Sequence, residues 1–127
     1  MTLRDQIKAA SDLLESEIVP VPEWDCTLTI KAMSGRQRDQ LELTASKAKE
    51  TGAPADIRAR YIVACAFDNE GNPVFKAEDV SWLTHKSAKV LDPLFEACLR
   101  VNGIREQDVD GLEKNLESGQ SDDSGSS

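Results

Sequence analysis

Between Trp24 and Ala32 the chain alternates strictly. Trp24, Cys26, Leu28, Ile30 and Ala32 fall on one face of an extended segment and Asp25, Thr27, Thr29 and Lys31 on the other, the period-two pattern of a half-buried strand. Met33 closes the strand, and Ser34 follows with Gln37 three residues later, the spacing of a capping box in which each side chain satisfies a backbone donor at the other's position. A strand that runs straight into a helix start fixes the local topology. A second extended run at Glu17 to Val21 lies just upstream, and the prolines at 20 and 22 remove ladder donors, which confines that run to a sheet edge. The predicted unit is a β-hairpin with Pro-Glu-Trp-Asp at its turn, followed at once by a helix.

Helical periodicity dominates the rest. Leu3 to Leu14 is predicted as an amphipathic helix, with Thr2 as cap, Asp5 in the capping-box position, and Leu3, Ile7, Ala10, Leu13 and Leu14 on one face. Ser34 to Glu50 carries a thin stripe of Leu41, Ala45 and Ala48 with Leu43 beside it, and ends at Thr51-Gly52-Ala53-Pro54. Residues 55 to 67 are ambiguous: Ile57, Tyr61, Ala64 and Cys65 follow helical spacing, with Asp56 able to cap or begin the helix, yet the unbroken YIVACAF run suits a buried strand too. Its length favours a helix. Asp68 to Asn72 is a turn leading to a brief extended stretch at Pro73 to Phe75, and Ala77 to Leu83 reads as a short helix with Glu78 and Asp79 in its first turn.

From Ser87 onward Val90, Leu91, Leu94, Phe95, Cys98, Leu99 and Val101 form the richest apolar stripe and must be core. Pro93 falls inside it, so this helix either kinks there or restarts with Asp92 as cap; Asn102-Gly103 offers a left-handed end. A last helix is expected from Arg105 to about Leu116. The fold class is therefore α+β, predominantly helical with five to six helices and one small β-hairpin after the first. Residues 1–116 form a single domain, and 117–127, without a large apolar residue, form a disordered acidic Ser/Gly-rich tail.

Charge and residue inventory narrow the function classes. A formal charge of −8 opposes nucleic-acid binding, which requires clustered Lys and Arg on phosphates, and discourages anionic membranes. Arg36 with Arg38, and Arg58 with Arg60, read as solvated helix faces. No segment approaches the roughly 18 apolar residues that span a bilayer, and the charged N-terminus lacks the apolar core of a secretory signal. Cys26, Cys65 and Cys98 are far apart, each within an apolar pattern, and are expected as reduced, buried thiols. The single histidine, His85, has no Ser-x-Gly elbow or Cys-His motif near it, the DNEGN turn places its glycine too early for a calcium loop, and the glycines are too dispersed to cradle phosphate. The expectation is a non-catalytic protein with no cofactor and no metal. An enzyme built on His85 would require that residue in a pocket with a carboxylate partner.

The order of an N-terminal helix, the VPEWD hairpin and the M-S-G-R helix start resembles the tail assembly chaperones of long-tailed phages and prophages. AFDNEGNPVFKAEDVSWL is similar to the central loop of that family, LFEACLRVNG to its following helix, and IREQDVDGLEKN to its closing helix, so the resemblance spans roughly residues 2 to 116. It implies a chaperone in the host cytoplasm that binds the tape-measure protein, keeps it soluble and helps the tail-tube protein polymerise around it. It also implies self-association, and an ending that matches the short product of a frameshifted gene. Trp24 and Trp82, large amphipathic side chains, are the candidate partner contacts, although either can serve as core instead. The alternative is a structural tail-completion or tube-capping protein that stays in the virion.

Overall fold

The computed structural model describes residues 1–12, 15–105 and 107–108. The predicted hairpin is present. Strand β1 (Ser16–Val21) pairs antiparallel with β2 (Cys26–Lys31), from Ser16 opposite Lys31 to Val21 opposite Cys26. Pro22–Trp24 form a 3-10 turn between them, and Asp25 closes it at φ 53° in the left-handed region. Leu28 and Ile30 face the core, as the alternation requires, whereas Cys26 is exposed and not buried. It sits one residue past the turn, at the end of the strand. A two-residue strand, β3 (Ala66–Phe67), adds to the far side of β2, so the sheet has three strands in the order β1-β2-β3 and β1 is an edge. Sequence reading did not anticipate β3.

Helix α1 (Leu3–Ala9) has the expected Thr2–Asp5 capping box but is shorter than predicted, since Ala10 is already extended. It buries no residue, so its apolar stripe of Leu3 and Ile7 faces outward. Helix α2 (Gly35–Glu50) starts behind Ser34, whose hydroxyl accepts from the Gln37 amide while the Gln37 side chain accepts from the Ser34 amide. Helix α3 (Ile57–Cys65) occupies most of the ambiguous stretch, and the last two residues of the YIVACAF run peel off into β3. Asp56 stands at its N-cap position at φ 53° without capping it; its carboxylate accepts from the Thr84 hydroxyl at 2.9 Å instead. A 3-10 turn at Ala77–Asp79 leads into α4 (Val80–Leu83).

Helix α5 (Ala88–Val101) runs unbroken through Pro93 with Ser87 as its cap, so it does not restart at Asp92. The proline is tolerated because Pro93 and Lys89, whose carbonyl loses its partner, are both exposed to water. Its end is a Schellman motif: Gly103, at φ 65°, donates to the Arg100 carbonyl at 3.1 Å and Ile104 donates to Leu99 at 2.9 Å, with Ile104 buried. The expected helix from Arg105 to Leu116 falls almost wholly outside the described residues, as do Leu13, Leu14 and the expected tail.

Helices α3 and α5 pack on each other and across one face of the sheet, and between them lie Tyr61, Ile62, Cys65, Leu94, Ala97 and Cys98, all at most 1% exposed. Asn102 ties this layer to the hairpin: its side-chain oxygen accepts from the Met33 amide at 2.7 Å and its amide donates to the Cys98 carbonyl at 2.8 Å.

Candidate functional site

Helix α3 is apolar on more than its core face. Ile62 and Cys65 point into the α5 seam, but Val63 and Ala64 are only half-buried on the opposite flank. That flank is one wall of an open groove of about 360 Å³. Leu41 and Thr44 of α2 form the second wall, and Phe67, Pro73, Phe75 and Val80 close it from the side of the Asp68–Asn72 reversal. The reversal is built by Asp68, whose carboxylate accepts from the Glu70 and Asn72 amides, both at 2.9 Å, and by Gly71 at φ 89°. Those amides, Asn72's first, hold the Asp68 carboxyl below the usual carboxylate range. The reversal therefore positions Pro73 and Phe75 beside α3.

Among the residues lining the groove, Arg60 is the one charged side chain, and its Nε donates to the Ala55 carbonyl at 2.6 Å. The trough is thus an apolar surface rimmed by Gln37, Gln40 and Thr44, a combination suited to an apolar side chain of a partner and not to an ion.

Trp82 adjoins this groove through Phe75. The two rings lie at a tilt with centroids 6.0 Å apart, and Trp82 remains 47% exposed. Its indole N–H donates to Asp79 at 2.9 Å, which fixes the ring plane, and the Lys86 ammonium stands over the ring at 5.9 Å from its centroid. The Lys76 amide and then the indole hold the Asp79 carboxyl below its ordinary range. Trp24 sits at the hairpin turn, half-buried and packed against the core. The structure does not bring the two tryptophans into ring contact. Sequence reading named Trp82 but missed the groove itself, whose walls come from four separate segments; the unbroken YIVACAF run was its only trace.

A second cavity, about 340 Å³, is polar. Lys49, Arg58 and Lys86 line it together with Asp56 and Thr84, and Arg58 is held by Asp92 at 2.6 Å. His85 is exposed. Among the described residues no group of three or more His, Cys, Asp or Glu side chains is arranged to hold a metal. Cys65 and Cys98 meet in the α3–α5 seam; the hydrogen bond to Cys65, together with burial, pushes the Cys98 thiol well above its usual range, leaving it a poor nucleophile. No helix among the described residues is long and apolar enough to cross a membrane.

No family model matches the chain, and no curated protein matches it in sequence. Its fold is similar to that of the bacteriophage HK97 tail assembly chaperone, with a TM-score of 0.59 and 15% sequence identity over 81% of this chain and 96% of the other. The likeness is one of architecture.

Proposed function

We propose that this protein is a non-catalytic phage tail assembly chaperone. It binds apolar helical stretches of the tape-measure protein in the host cytoplasm, keeps them from aggregating, and promotes polymerisation of the tail-tube protein around them. The observation that carries the reading is the open apolar groove along α3, on a fold similar to that of a tail assembly chaperone. A helix laid along the groove would insert one row of apolar side chains between Leu41, Val63 and Phe75, the helix-in-groove mode of recognition, with Trp82 as a flanking anchor. The net charge of −8 would keep the loaded complex dispersed. Trp24 contributes more by holding the hairpin turn against the core.

Co-expression with the tape-measure protein of the same genome tests this. The expected result is a soluble complex that Val63→Glu disrupts strongly, Trp82→Ala partly and Trp24→Ala least. A tape measure that precipitates alone beside the wild-type chain sinks the reading. Recovery of this protein from finished tails would favour the tail-completion or tube-capping alternative.

A further inference from the structure

The outer edge of β1 has no strand partner among the described residues. Ala32 donates to the Glu15 carbonyl at 3.2 Å, and the register continues from there, so residues 17, 19 and 21 turn their backbone groups toward β2. Ser16, Ile18 and Pro20 therefore turn theirs outward. This explains how Pro20 sits in a ladder at all: the donor it lacks points away from β2. Among the described residues no hydrogen bond uses the Ser16 or Ile18 amide, and Ile18 is 70% exposed on the sheet face opposite the helices.

We propose that β1 pairs antiparallel with β1 of a second copy, about a two-fold axis at Ile18, to make one continuous six-stranded sheet. The outward groups are self-complementary. Ile18 would exchange both of its bonds with Ile18 of the other copy, and each Ser16 amide would donate to the opposite Pro20 carbonyl. Every outward donor is then used, and the donor missing at Pro20 falls opposite a Ser16 carbonyl at the rim, where water can satisfy it. A foreign strand has no reason to match that gap. The seam is also neutral on a chain of −8: Ser16, Ile18 and Pro20 carry no charge, and inward-facing Glu17 is held by Arg100 at 2.6 Å. With the axis perpendicular to the sheet, both helical layers lie on the same side and the two exposed isoleucines cover each other.

Sedimentation equilibrium over a concentration series tests this without any tape-measure protein. The wild type is expected at twice the chain mass. Ile18→Pro removes only an outward donor, so it should shift the mass to that of the monomer while far-UV circular dichroism and Tm stay unchanged. Ile18→Lys keeps the donor but sets like charges face to face, and should also give monomers even if the proline variant folds poorly. Ile18→Cys in a Cys26→Ser background should cross-link as a dimer on oxidation. A monomeric wild type, or a dimer that survives both Ile18→Pro and Ile18→Lys, overturns the proposal.

Discussion

Helices α3 and α5 share one seam and treat their other faces in opposite ways. α5 segregates cleanly: Val90, Leu94, Ala97, Cys98 and Val101 are buried, while Lys89, Pro93, Glu96 and Arg100 meet water. α3 does not, because Val63 and Ala64 continue its apolar character onto a flank that the described residues leave open. The lesson is that α5 is finished by its own fold, whereas α3 carries apolar surface in excess of what the described residues cover.

The contrast can be broken most directly at the seam. Leu94→Ala removes a side chain that is 1% exposed and should destabilise the fold by about 2–5 kcal/mol in urea unfolding. Val63→Thr, a near-isosteric change on the open flank, should alter stability by less than about 1 kcal/mol in the same assay. If Val63→Thr proved as damaging as Leu94→Ala, the flank would be core and the distinction between the two helices would vanish.

A finer test uses the polar side of α5, where Arg100 grips Glu17 of β1. The Arg100 hydrogen bond holds the Glu17 carboxyl below its ordinary range, so the pair stabilises the fold fully above the unfolded value of roughly 4.3 and loses that contribution as pH falls through the lower folded value. Glu17→Gln should therefore narrow the stability gap to the wild type as pH drops through that window. The effect is small because both side chains are substantially exposed. A gap that widened on acidification would contradict the assignment.

Local signals were the legible ones. The alternation that buries Leu28 and Ile30, the Ser34–Gln37 box and the Asn102–Gly103 ending each act within a few residues and appear where the sequence places them, whereas at the start of the expected strand Trp24 lies in the 3-10 turn and Cys26 is exposed. The errors arise where distant parts decide. α1 stops at Ala9 with no residue of it buried by the described residues, and a helix of 7 residues, far below the roughly 12–15 that are marginal alone, has little to sustain it. Pro93 looked like a break because the sequence does not show that Lys89 and Pro93 face water. β3 depends on pairing with Thr29 and Ile30, more than thirty residues away, and so left no periodic mark. The groove was illegible for the same reason, although the fold class was not.

The Asn102 clamp has a consequence in time. Met33 and Asn102 are 69 residues apart, so the Met33 amide, just beyond the hairpin, gains this partner only once the end of α5 has been synthesised. Vectorial synthesis thus separates the making of the hairpin from its anchoring.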